Sequence, residues 1–329
     1  MKRAFSLVEL LVVIGIIGVL AGVLLVSFSG GVEAARAAKC LTNMRNLAQI
    51  TIATAARTSS QYYPLAGSRA IVAAEEDTVY LEQVGWISWL SKNDEYGMHG
   101  HGAQHPKNFV SLDNASAYST VGDNGDAVFA ITNGTVWQCA NGNREVYTCP
   151  EHVLAAQKAG VEVNWSYVMN AYFGYDWSDG QKAVVARNVN ESDGRVGLNT
   201  SRLDRTLLFA ELPFNDHEVG GGRIETDFST SPDTANDCVL QYKTGGMDGM
   251  TFGKDWSGRG ETIAFNHKSG KRWCAHVAFA DGHTEKLLLP KEGGGLSKEQ
   301  LTALLCGDDD RNGGQDVSFN GKSYQKMNN

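Results

Sequence analysis

The sequence predicts an α+β fold: a long N-terminal helix, half transmembrane and half amphipathic, packed on an antiparallel β-sheet with an enlarged β-rich head. Three observations predict it. Residues 5–28 are an apolar run broken by a single charge. Residues 32–57 repeat apolar side chains every three or four positions. The remainder of the 329 residues alternates short β-favouring pieces with turns, and the chain holds 37 glycines against only 6 prolines.

The apolar run reads FSLVELLVVIGIIGVLAGVLLVSF. As a helix it would reach about 36 Å, enough to cross a hydrocarbon core of roughly 30 Å. Lys2 and Arg3 precede it, and the positive-inside tendency keeps that end in the cytoplasm. The head is then exported. A cleaved secretory signal fits less well, because the run is long and no small-x-small site follows it. Glu9 carries the sharper message. A carboxylate in a membrane helix costs on the order of a few kcal/mol, so it needs a positive partner on a neighbour. Gly18-x-x-x-Gly22 would also let such helices approach closely.

These residues resemble a known family. Lys2-Arg3-Ala4 followed by Phe5-Ser6-Leu7-Val8-Glu9-Leu10 is similar to the class III signal of type IV prepilins and type II secretion pseudopilins. The resemblance implies cleavage by prepilin peptidase between Ala4 and Phe5, N-methylation of Phe5 to N-methylphenylalanine, and Glu9 as the assembly carboxylate. Where the family usually carries Gly before the cut, this chain has Ala4. The implied organisation is a leader over 1–4, a transmembrane helix over 5–29, an amphipathic second half over 30–60, and a pilin-like extracytoplasmic domain over 61–329.

After Gly30-Gly31 the helix resumes, with Val32, Ala35, Leu41, Met44, Leu47, Ala48, Thr51, Ile52 and Ala55 as the stripe that faces a sheet. Tyr62-Tyr63-Pro64 closes it. Cys40-Leu41-x-Asn43-Met44-Arg45-Asn46-Leu47 resembles a run in pilin-like proteins that bear a C-terminal H-x9-DG motif. Tyr147-Thr148-Cys149-Pro150, the strand Ser166-Tyr167-Val168-Met169-Asn170 and the strand Leu207-Leu208-Phe209-Ala210-Glu211 resemble further pieces of those relatives. His267 and Asp281-Gly282 stand for the motif itself, but thirteen residues separate His267 from Asp281 here. The extra residues are expected to lengthen a hairpin loop around Ser269-Gly270-Lys271. Asp281 and His267 are expected to tie the turn by hydrogen bonds; a catalytic His/Asp/Glu cluster with Glu211 is the alternative. Residues 65–135 read as an insertion.

Val136-Trp137-Gln138-Cys139 and Val146-Tyr147-Thr148-Cys149 flank Asn141-Gly142 and read as a hairpin. In an oxidising compartment a Cys139–Cys149 disulfide would join its arms; two buried thiols are the alternative. Asp308, Asp310, Asn312 and Asp316 match oxygen positions of a calcium loop, following a helix that starts at Ser297, though Phe319 replaces the final Glu. Calcium or a solvated acidic turn fits there, and no other cofactor is required. His99, His101 and His105 are spaced for a transition metal or a plain loop. Tyr172-Phe173-Gly174-Tyr175-Asp176-Trp177 offers a stacking surface or core packing.

A formal charge of −8 argues against nucleic acid. No nucleophile motif appears, so no enzymatic activity is expected. The expected function is a structural subunit of a pilus or secretion pseudopilus in the inner membrane. Its partners would be prepilin peptidase, other pilin or pseudopilin subunits, the inner-membrane assembly platform and membrane lipid. The alternative is a membrane-anchored, carbohydrate-recognising periplasmic or surface module outside any filament.

Overall fold

The computed structural model describes residues 6–67, 69–73, 78–88, 117–122, 125–174, 195–214, 217–219, 222–224, 238–240, 263–289, 298–307, 317–319 and 322–324. The fold is α+β, with one long N-terminal helix and sheets that are predominantly antiparallel.

Helix α1 spans Leu7–Arg57 without a break, so Gly30-Gly31 does not interrupt it. Ser6 caps it: its Oγ accepts from the Glu9 N–H, and Glu9 accepts from the Ser6 N–H in return, which satisfies two otherwise orphaned donors. Arg57 in the last turn complements the negative end of the dipole. Thr58 then turns extended and its hydroxyl donates to the Ala55 carbonyl.

The helix has two unlike halves. From Leu7 to Val23 its large apolar side chains are exposed, from 47% at Val13 to 78% at Leu7. From Ala37 onward Cys40, Met44, Leu47, Ala48, Thr51 and Ala55 are buried at helical spacing. Val32 and Ala35, expected in the stripe, are exposed, so burial begins about one turn later than the sequence pattern suggested. Cys40 and Asn43 complete the buried face.

The strands of the head are β1 (Arg69–Ala73), β2 (Thr78–Gln83), β3 (Tyr118–Thr120), β4 (Val161–Val163), β5 (Tyr167–Asn170), β6 (Leu207–Glu211), β7 (His217–Val219), β8 (Gly222–Ile224), β9 (Val239–Leu240), β10 (His267–Ser269), β11 (Arg272–Phe279), β12 (Thr284–Leu288), β13 (Val317–Phe319) and β14 (Lys322–Tyr324). Its helices are α2 (Gly125–Thr132), α3 (Pro150–Ala159) and α4 (Lys298–Cys306). Helix α4 lies where the sequence placed a helix before the acidic loop. The central sheet runs β10–β11–β6–β5–β9, with β12 also on β11. All its pairings are antiparallel except β5 with β9.

Two details of register position the candidate site. Cys274 of β11 faces both His267 of β10 and Leu288 of β12, so β10 and β12 lie on opposite sides of β11. Strand β6 also pairs with β11, through Val277↔Ala210 and Ala278↔Phe209. It therefore lies on the β10 side, further along. The end of β6 and the start of β10 meet there, which brings Glu211 to His267.

The insertion is not peripheral. Trp86 is buried, stacks on Tyr147 at 5.8 Å, packs edge-on to Phe209 at 5.0 Å and donates from Nε1 to the Cys238 carbonyl. Tyr172 and Phe173 are core residues too, so core packing prevails for the described part of that aromatic stretch.

Candidate functional site

The first site is the start of α1. Glu9 Oε2 accepts from the Ser6 backbone N–H at 2.8 Å, while Ser6 Oγ accepts from the Glu9 N–H at 3.2 Å. Within the single chain the carboxylate is thus held by its own helix terminus and remains exposed. Ala4 and Phe5 lie outside the described residues. Among the described residues no helix is long and apolar enough to cross a membrane. The described side chains of the apolar half end at Val23, and Leu7 to Val23 covers only about 25 Å as helix.

The second site is a buried cluster between the sheet, α1 and α3. Glu211, the last residue of β6, is fully buried. Its Oε1 lies 3.0 Å from His267 Nε2 and 3.5 Å from His276 Nδ1, as the β6–β11 register dictates. The two imidazoles stack with centroids 4.0 Å apart. His267 Nδ1 meets Glu151 Oε2 of α3 at 2.5 Å. One imidazole thereby bridges two carboxylates. Burial alone would lower the His267 pKa, but Glu211 and Glu151 reverse that and raise it to about 9. Burial pushes the Glu211 carboxyl up, yet His267 and His276 outweigh it and hold the group well below the usual carboxylate range. In this form the cluster is an imidazolium between carboxylates, which is how a buried charge becomes tolerable.

Beside it, Cys40 of α1 is disulfide-bonded to Cys149, the residue that precedes α3, with Cα atoms 4.7 Å apart. The expected Cys139–Cys149 bond is therefore wrong. Cys139 is a free thiol whose sulfur lies 3.4 Å from Arg57 Nη1. The physical reason is local. Asn141 and Gly142 do adopt the left-handed turn, with φ of 50° and 73°. Their flanks, however, are turns on one side and a 3-10 segment, Arg144–Tyr147, on the other. Pro150 then starts α3, so no hairpin forms to align the two cysteines.

The His267–Asp281 link is also absent. Asp281 Oδ1 accepts from the His283 N–H at 3.1 Å and meets His283 Nδ1 at 2.5 Å, so the turn is tied by its own histidine. His283 stacks on Phe279 at 4.5 Å and its Nε2 reaches Glu285 at 3.2 Å. The extra residues between His267 and Asp281 do not lengthen a loop. They extend the β10–β11 hairpin, which closes tightly at Gly270-Lys271 with Gly270 at φ +63°. Gly282 seats the Asp-Gly turn on α1 beside Ile52.

Of the residues singled out in the sequence, His267 and Glu211 come together while Asp281 stands apart. Cys40, Glu151 and His276 were not read as members of a site. Cys40 and Cys149 each sit in a family-like run whereas Cys139 sits in none, and that was the available signal. Asp308, Asp310, Asn312 and Asp316, and likewise His99, His101 and His105, lie outside the described residues.

Residues 1–25 match the prokaryotic N-terminal methylation motif. No curated protein matches the chain, and no solved structure matches it.

Proposed function

We propose that this chain, whose N-terminus carries a methylation motif of the kind found in type IV pilin-like proteins, is a structural filament subunit of the pilus or secretion-pseudopilus class. Prepilin peptidase would cut between Ala4 and Phe5 and methylate Phe5. The subunit would wait in the inner membrane with its N-terminus cytoplasmic and its head outside, then enter a filament through an assembly platform. One observation carries the reading. The motif runs without interruption into a helix whose apolar side chains from Leu7 to Val23 are unburied and whose second half sinks into the head.

The energetics support that division. Each large aliphatic side chain left in water forgoes roughly 1.5–3 kcal/mol, so a dozen along one half-helix need lipid or neighbouring helices around them. The head end is anchored by a buried stripe, by Asn43, which donates to the Glu145 and Thr148 carbonyls, and by the Cys40–Cys149 bond. A filament could pull on such a helix without detaching it.

The test pairs two measurements. Mass spectrometry of the membrane-extracted protein should show a chain beginning at methylated Phe5. Electron microscopy of sheared filaments with a tagged head should show incorporation in the wild type and its loss in Glu9→Ala. An intact Met1, or a tagged protein never found in filaments, would instead fit the anchored binding module.

A further inference from the structure

We propose that the dithiol form of Cys40 and Cys149, together with His267 and Glu211, is a tetrahedral binding site for a divalent transition-metal ion of the zinc class.

The donor set is assembled already. Cys40 Sγ, Cys149 Sγ, a His267 ring nitrogen and a Glu211 carboxylate oxygen all lie within 4.8 Å of one another, and all four residues are buried. His267 Nε2 stands 3.0 Å from Glu211 Oε1 and 3.9 Å from Cys149 Sγ. Ligands of one tetrahedral ion with bonds of about 2.0–2.3 Å are separated by roughly 3.3–3.8 Å. The two quoted distances bracket that range, and the sulfurs, bonded to each other in the disulfide, must part on reduction before both can reach one ion.

Two further features point to a cation. Glu211 Oε2 is buried without a hydrogen-bond partner, an arrangement that costs free energy unless something positive completes it. His267 Nδ1 pairs with Glu151 Oε2 at 2.5 Å, which leaves Nε2 on the side of Glu211 and the Cys149 sulfur. A carboxylate behind a histidine in this way is the usual outer support of a metal ligand. Two thiolates with one imidazole and one carboxylate favour a borderline-soft tetrahedral ion over calcium or magnesium.

The two forms are exclusive and chemically linked. With the disulfide intact, the His267 imidazolium serves as the cation between Glu151 and Glu211. A dithiol reductant transfers two electrons and two protons to the Cys40–Cys149 bond and itself becomes a disulfide. The ion then displaces one proton from each thiol and one from His267 Nε2, while Nδ1–H stays on Glu151. Either form joins α1 to the head at the same point, by a covalent bond or through the ion. This site stands on its own whether or not the chain enters filaments.

The experiment uses the full chain in detergent, reduced with a phosphine, desalted without oxygen and titrated with Co²⁺. One ion per chain should bind, with a strong thiolate-to-cobalt band in the near ultraviolet and tetrahedral bands in the visible. The oxidised protein should show neither. Glu151→Gln should weaken binding by about 10- to 100-fold with the same spectrum, and unchanged affinity would strike Glu151 from the site. X-ray absorption of the zinc-loaded wild type, which needs no variant to fold, should give two sulfur and two nitrogen or oxygen neighbours. No cobalt band after reduction, or a zinc shell without sulfur or with four sulfurs, overturns the proposal.

Discussion

Gly282 sits against Ile52: a Cβ at position 282 would lie 3.0 Å from Ile52 Cδ1, and the glycine holds φ +89°. The Asp-Gly turn between β11 and β12 is thus pressed onto the buried half of α1. Gly282→Ala meets two penalties, a left-handed backbone costing about 1–2 kcal/mol and a crowded contact. Urea unfolding of the full chain in detergent should show a loss of about 1–3 kcal/mol. Trimming Ile52 to Ala in the same chain should relieve the contact but not the backbone cost, so a double-mutant cycle should recover only part of the loss.

Asn43 of α1 donates from Nδ2 to the carbonyls of Glu145 and Thr148, both at 2.9 Å. Those carbonyls belong to the 3-10 segment and its end, so one side chain clamps the helix to the approach to α3. Asn43→Leu removes both bonds and should cost about 2 kcal/mol. Asn43→Asp should cost more, because an acceptor would then face two acceptors. Thermal melts of the two variants side by side check the order.

The disulfide closes a separation of 109 residues. Constraint of the unfolded chain over such a loop contributes up to about 4–5 kcal/mol. Without added metal, Cys149→Ser should therefore fall far below wild type in chemical denaturation, whereas Cys139→Ser should stay within about 0.5 kcal/mol. Non-reducing peptide mapping should recover Cys40 linked to Cys149, with Cys139 open to alkylation.

That pairing shows how far the sequence could be read. Local patterns were legible: the end of α1 near Arg57, the strands at Tyr167–Asn170 and Leu207–Glu211, and the left-handed Asn141-Gly142 turn all follow from short-range chemistry. Long-range partners were not. Cys149 pairs with Cys40 because α1 lies beside the start of α3, a fact of packing that no spacing encodes. His276 and Glu211 face each other only because β6 and β11 adopt one register, and a slip of one residue would separate them. Glu151 carried no sequence signal of a site, yet from the first turn of α3 it pairs with a buried histidine.

His152 of α3 is buried, bonded to Tyr118 and Ser166, and stacked on Phe214 at 4.8 Å. Burial lowers its pKa to about 3, against an opposing pull from Glu211. The unfolded chain takes up this proton near pH 6.5, but the folded chain refuses it until about pH 3. The stability it contributes is present above about 6.5 and is lost as the pH falls toward 3. His267 is already protonated in both states below 6.5, so it adds little slope there. Between pH 6.5 and 5 the His152 loss should be about 2 kcal/mol. Urea midpoints at the two pH values should show this fall in wild type, and His152→Phe should flatten it even though its stability at pH 6.5 is lower.

Glu9 has a local duty in the capping box and a proposed duty between subunits, and the two can be separated. Glutamine at the third helical position can close the same box, because it needs only an acceptor for the Ser6 N–H. Glu9→Gln should therefore keep the amides of the first helical turn as protected in hydrogen exchange as in wild type. It has no charge to offer the amine of a neighbouring Phe5, so its incorporation into filaments should collapse. Ser6→Ala should do the reverse. It removes the hydroxyl that accepts from the Glu9 N–H, which costs about 1 kcal/mol and frays the first turn. The carboxylate remains, and incorporation should persist. If both variants assembled equally well, Glu9 would be a helix cap and nothing more.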